Sequence, residues 1–268
     1  MRKIIIIFIV YILSSVCKLS AFDNLLFKPL EANQLEARIS SFYQIENDKL
    51  RLDIGHSLDL YEFSILDTNT KIRLGSDFFI LSCLRSEGKM KFPVETADYF
   101  FGVNASSLFK MFNMFFETRL RLAHISSHLI DGYSENNIFF KSPFVYSREF
   151  ADFVIALKMK YLRPYIGLTY IFSTLPKNIN KFVPQVGFDF HIPFCKFFSL
   201  RGGYDLKIIG SDTLKNTACS AMQCGLGFST SKNIEISLSY YFYSGYSIHG
   251  MFYDNKNYYN GLGFQINY

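Results

Sequence analysis

Residues 258–268, Tyr-Tyr-Asn-Gly-Leu-Gly-Phe-Gln-Ile-Asn-Tyr, are the stretch on which the fold turns. Leu262, Phe264, Ile266 and Tyr268 fall on one parity, and Gly263, Gln265 and Asn267 fall on the other. Side chains of a β-strand point alternately to opposite faces, so this stretch reads as a strand with one apolar and one small or polar face. The same period recurs upstream. Ile234, Ile236, Leu238, Tyr240 and Phe242 oppose Glu235, Ser237, Ser239 and Tyr241. Phe198, Leu200, Tyr204 and Leu206 oppose Ser199, Arg201, Asp205 and Lys207, and Val186, Phe188, Phe190 and Ile192 oppose Gln185, Gly187, Asp189 and His191. Near the start, Leu50, Leu52, Ile54, Leu58 and Leu60 oppose Arg51, Asp53, Gly55, Ser57 and Asp59.

Alternation alone fits a soluble sandwich as well as a membrane barrel; other features separate the two. Of the 268 residues 18% are aromatic, with 30 Phe, 18 Tyr and no Trp. A soluble core hides so many rings with difficulty, whereas a barrel displays them to lipid and at its interfaces. Arg2 and Lys3 followed by the apolar run Ile4–Leu13 and a small-residue site near Ser20–Ala21 read as a secretory signal peptide over 1–21. Cys17 raises the alternative of an acylated lipoprotein, although Ser14, Ser15 and Val16 fit a lipobox poorly. The leader run is short of the roughly 20 apolar residues of a spanning helix, and charges interrupt every later apolar segment, which excludes a helical membrane protein.

Losing Arg2, Lys3 and Lys18 with the leader lowers the formal charge from +5 to +2. No basic cluster stands out, so nucleic acid is not an expected partner. Cys83, Cys195, Cys219 and Cys224 form no C-x-x-C pair, and no metal or cofactor is expected.

Twelve strands are expected, near 35–44, 49–60, 71–81, 97–104, 112–126, 149–160, 164–173, 183–192, 197–207, 216–228, 234–243 and 258–268. An even number closes an antiparallel bacterial barrel. The chain then divides into a leader (1–21), an N-terminal periplasmic segment (22–34) and one closed transmembrane β-barrel (35–268). The expected connections after Tyr161, Ile192 and Phe228 are short, and those near 82–95, 127–148 and 244–257 are long. Periplasmic turns and extracellular loops differ in that way. Arg51, Asp53, Arg73, Asp77, Glu117, Arg119, Arg121, Asp189, Arg201 and Asp205 share the inward parity. Charges of both signs there read as a filled interior in preference to a wide pore.

Three segments carry a resemblance to a known family. They are Phe27-Lys-Pro-Leu-Glu-Ala32 with Glu36-Ala-Arg38, His124-Ile-Ser-Ser-His128 with Asp131 and Ser147-Arg-Glu149, and Ser247-Ile-His-Gly-Met-Phe-Tyr253 with Tyr258-Tyr-Asn-Gly-Leu-Gly-Phe264. Together they resemble the bacterial family labelled domain of unknown function 1207. The resemblance implies an outer-membrane barrel and brings no activity with it. The aromatic-ended last strand also resembles the signal that barrel-assembly machinery reads, which makes that machinery an expected partner beside outer-membrane lipid and lipopolysaccharide.

One cluster stands apart from the strand pattern. Phe116, Leu120 and Leu122 set the lipid-facing parity of their strand, and it continues to His124 and Ser126. Phe153, Ile155 and Leu157 set that of the next strand, and it reaches back to Glu149. The three polar groups are therefore expected together at the outer rim. A serine activated by a histidine that a carboxylate orients is a nucleophilic unit. The spacing resembles the His-x-Ser element of outer-membrane lipid A deacylases, with Ser127 standing where an Asn is usual. Two plainer readings accompany it. Ser127, His128, Asp131, Arg148 and His249 form a rim network that knits loops together, or His124, His128 and His249 hold a metal or ligand. The function classes left open are a structural or transport-type barrel and a surface lipid hydrolase.

Overall fold

A computed structural model describes residues 22, 24–64, 70–211, 215–230 and 234–267. The expected leader, Cys17 and Tyr268 lie outside them. The strands are β1 (Ile39–Gln44), β2 (Lys49–Ser64), β3 (Lys71–Arg85), β4 (Val94–Met111), β5 (Met114–Leu129), β6 (Ser134–Glu135), β7 (Ile138–Phe139), β8 (Tyr146–Lys158), β9 (Leu162–Leu175), β10 (Phe182–Pro193), β11 (Phe198–Ile209), β12 (Thr217–Ser229), β13 (Glu235–Tyr246) and β14 (Lys256–Asn267).

Twelve of these close into an antiparallel barrel, while β6 and β7 pair only with each other. Closure is made by β1, which pairs with β2 on one side and β14 on the other, Phe42 lying opposite both Arg51 and Gly263. The twelve strands expected from alternation are all present. Several run longer than their apolar pattern. β4 continues to Met111, where Phe112 and Asn113 take positive φ (50° and 61°) and turn the chain into β5.

The outward parity is apolar and open to the surroundings, as at Ile54, Phe78, Val103, Leu122, Ile166 and Leu262, each about half exposed. The inward parity is buried and mostly polar. Arg51, Asp53, Asp77, Glu117, Arg119, Arg121, Asp189 and Asp205 are all buried, as their parity requires. The ladder leaves no backbone edge unpaired, the condition for crossing hydrocarbon with strands.

Three fillings occupy the lumen. At the long-loop end, Phe79, Leu81, Phe100, Ile125, Phe150 and Ile171 make an apolar core with Met251. Beside the seam, Phe42, Tyr241, Tyr243 and Tyr259 stack, with Phe42 and Tyr241 centroids 4.2 Å apart. The third filling is residues 24–38, expected below the barrel up to 34 and in its wall over 35–38, but all found inside it. Their polar groups explain why. Glu36 accepts from both terminal guanidinium nitrogens of Arg119 at 2.6 and 2.8 Å, and Glu31 pairs with Arg201. Lys207 donates to Asn33 Oδ1 at 2.7 Å. Phe27 is sandwiched by Arg119 and Arg163, at 4.7 and 5.2 Å from its ring centre. Buried wall charges need partners, and this segment supplies them. The barrel wall accordingly begins at Ile39 and not at residue 35.

Candidate functional site at the long-loop rim

β5 and β8 are neighbours in the wall although 16 residues of loop separate them. Their register sets His124 opposite Glu149 and Ser126 opposite Ser147. Leu120 and Leu122 on β5 are 44% and 52% exposed, and the intervening Arg119, Arg121, Ala123 and Ile125 are buried. His124, Ser126 and Glu149 thus stand on the outward face, and Arg148 points in.

His124 Nδ1 lies 2.9 Å from Glu149 Oε1, and Ser147 Oγ donates to the same oxygen at 3.0 Å. Ser173 on β9 stands opposite Glu149 on its far side. Ser126 is half-buried, and its hydroxyl makes no side-chain hydrogen bond among the described residues. An ionised carboxylate only accepts, so with Glu149 charged the Nδ1 atom carries the proton and Nε2 carries the lone pair. Nε2 is then the nitrogen available to the serine. Unliganded catalytic hydrogen bonds are commonly loose and tighten only with substrate bound.

The height of the group is set by the strand. Met114, at the opposite end of β5, is ten residues from His124. At ~3.3 Å per residue and a tilt of ~40°, that is roughly 25 Å along the barrel axis, the height of the apolar band of such barrels. His124 and Ser126 therefore sit where the apolar surface ends.

The remaining rim residues do not form one network. Ser127 faces inward and its Oγ accepts from the Met251 N–H at 3.1 Å. His249 is buried, with Nδ1 2.7 Å from Asp98 Oδ2, and the Gly250 N–H donates to Asp98 Oδ1 at 2.8 Å. Gly250 lies under the Tyr146 ring, where a Cβ would collide. This cluster seats the 247–255 loop as a cap on the long-loop mouth. Arg148 also faces inward, over the Tyr146 ring. His128 stands on the outward face against Tyr99, and Asp131 opens a 3-10 turn whose backbone carbonyl accepts from Ser134 Oγ. The wall separates His249 from His124 and His128, so the three share no metal ion. Asp98 and Ser147 were missed as site residues. Ser147 lay in a quoted segment, but nothing local marked Asp98, whose partner is 151 residues away.

Fold and rim together define a closed, twelve-stranded barrel of the outer-membrane type, filled inside and polar at one outward edge. Among solved structures, outer membrane phospholipase A from Escherichia coli is similar at 12% identity, covering 91% of this chain and 96% of that one with a TM-score of 0.55. An outer membrane phospholipase from Salmonella typhi, crystallised as a dimer with bound calcium, is similar at 12% identity, covering 92% of each chain with a TM-score of 0.57. At such identity the likeness is one of fold. No curated protein matches the chain by sequence. The chain belongs to the family described as "Protein of unknown function (DUF1207)", whose model matches residues 16–268.

Proposed function

We propose that the chain is exported, loses residues 1–21 and sits in a bacterial outer membrane with its long loops outside. There it hydrolyses acyl esters of outer-leaflet lipid. The observation that carries this reading is the 2.9 Å contact of His124 with Glu149 on the outward face, two residues along β5 from Ser126. The filled lumen supports it, because it leaves the outside of the barrel as the place for chemistry. Ester carbonyls of membrane lipids lie at the boundary between acyl chains and headgroups, the level reached by Ser126. Lipid and lipopolysaccharide are the immediate partners, and barrel-assembly machinery is the partner during insertion.

In this mechanism Ser126 Oγ attacks the ester carbonyl carbon as His124 Nε2 takes the hydroxyl proton. Glu149 holds the ring and stabilises the imidazolium that forms. The carbon–oxygen bond to the leaving alcohol then breaks, and that alcohol takes the proton from His124. Water, deprotonated by the same nitrogen, attacks the acyl-Ser126 ester, releases the carboxylic acid and restores the serine hydroxyl. Ser147 is a positioning residue, since its hydroxyl fixes the Glu149 carboxylate.

The test is hydrolysis of phospholipid and of lipid A in mixed micelles, read by mass spectrometry, with a comparison of lipid A from cells with and without the protein. Wild type releases fatty acid from one of the two, and Ser126→Ala releases none while still migrating as a folded barrel. Turnover that survives Ser126→Ala, or a wild type inert on both lipids, refutes the proposal and leaves a structural barrel.

A further inference from the structure

We propose that the short-turn end of the barrel holds a binding site for a small phosphate monoester, built on Lys28. This site is independent of the rim reading. A cavity of about 630 Å³ opens there between the N-terminal segment and the wall. That volume lies within the range of small-molecule sites. The side chains around it include six cations and four acids, and the excess of two charges matches a phosphate dianion.

Pairing shows where the excess resides. Lys158 bonds Glu117 at 2.7 Å, Arg163 bonds Asp189 at 2.6 Å, and Arg201 bonds Glu235 at 2.6 Å and also Glu31. Those contacts occupy all four acids and leave Lys28, Arg38 and Lys160 without one among the described residues. Lys28 makes no ion pair or hydrogen bond among the described residues, is exposed, and is one of the residues that line the cavity. Its backbone is not free. Arg163 donates to the carbonyls of Lys28 and Pro29 at 3.0 and 3.1 Å, which fixes the direction in which the lysine leaves the chain. Burial, then the neighbouring Arg201 and Arg163, push the Lys28 ammonium below the usual lysine pKa. A bound anion would relieve that repulsion.

A second cation is under-satisfied at the same place. Arg38 lines the cavity and is buried without an acid partner among the described residues, its terminal nitrogens donating to the carbonyls of Glu31 and Asn33 and to Gln223, so its charge adds to the positive field there. Leu26 and Pro29 supply apolar wall, so the site has room for an organic body behind the phosphate.

Lys28 belongs to the segment Phe27-Lys-Pro-Leu-Glu-Ala32 quoted from the sequence. Phe27, Leu30 and Ala32 of that segment are buried against the lumen, and Glu31 pairs with Arg201. Packing and pairing explain those residues and leave the lysine without a structural task.

Isothermal titration of the full mature chain in detergent micelles tests this, with inorganic phosphate and hexyl phosphate as probes. Saturable binding of hexyl phosphate is expected, tighter than that of inorganic phosphate if the apolar wall contributes. Lys28→Met should weaken it at least tenfold, Lys28→Arg should retain it, and Ser126→Ala should leave it unchanged. Equal affinity for the two probes would place the site on the phosphate group alone, which also supports the assignment. Absence of saturable binding by wild type, or a Lys28→Met protein that folds and binds like wild type, overturns it. Should Lys28→Met fail to give a heat-modifiable barrel, Lys28→Gln replaces it with the same criterion.

Discussion

Replacing Glu36 by Ala removes the carboxylate around which the barrel interior is organised. Glu36 is 0% exposed, and it receives Arg119 through two nitrogens and Arg121 at 3.5 Å; these arginines are 3% and 2% exposed. Stripping one partner from a buried ion pair typically costs 3–5 kcal/mol, because the remaining charge is left without compensation. Arg121 keeps Asp152 at 2.8 Å, whereas Arg119 keeps only the same carboxylate at 3.8 Å. The loss therefore falls mainly on Arg119, and about 3 kcal/mol is expected, roughly two decades in the folding equilibrium. The chain contains no Trp, so unfolding by urea in lipid vesicles should be followed by far-ultraviolet circular dichroism and by the gel shift of the heat-denatured form. A Glu36→Leu/Arg119→Met double variant should recover most of the loss, since an apolar pair of similar volume often replaces a buried ion pair without penalty. A single variant that costs under about 1 kcal/mol would refute the reasoning. So would a double variant as unstable as the single one, because either result means that the segment and the wall are not coupled through this pair.

Three further outcomes follow from the geometry. Asp98→Ala should leave the Gly250 N–H and His249 without their acceptor, loosening the cap by about 2 kcal/mol; faster proteolysis within 247–255 of a barrel that still melts normally is the readout. The full chain should conduct no ions in planar bilayers, because apolar core and N-terminal segment fill the lumen, and stepwise conductance would contradict that filling. Truncation after Gly263 removes the pairs of Phe264, Gln265 and Ile266 with both β13 and β1, and no heat-modifiable form should appear on a gel.

Alternation carried most of the fold because in a barrel each strand faces lipid on one side and the interior on the other, and period two records both. The pattern stopped early where outward polar residues satisfy one another. β4 reads as 97–104 because Ser107 sets a polar group on the outward parity, yet Ser107 Oγ meets Thr118 Oγ1 at 2.6 Å across the ladder and the strand continues. The N-terminal segment was illegible for a different reason. Its partners come from β2, β3, β5, β9, β10, β11, β12 and β14, as far away as Tyr259 for Gln34, and no short window of sequence records such distances. The rim pair was legible because two short-range facts sufficed: parity along each strand and adjacency of consecutive wall strands. Ser127 and His249 escaped that logic, since one faces the other side of the wall and the other belongs to a loop folded over the mouth.

The register between β5 and β8 has a consequence for the life of the chain before assembly. His124 and Ser126 stand on one strand and Glu149 on another, 25 residues away from His124, so an unfolded polypeptide owns the parts of the constellation without owning the constellation. Registration of the wall creates it. A slip of one residue would turn Glu149 inward and bring Arg148 out beside His124, setting a guanidinium where the imidazole needs an anion. A misregistered barrel would then lack the His124–Glu149 contact on which the proposed hydrolysis rests, so the same row of hydrogen bonds sets both the wall and the rim pair.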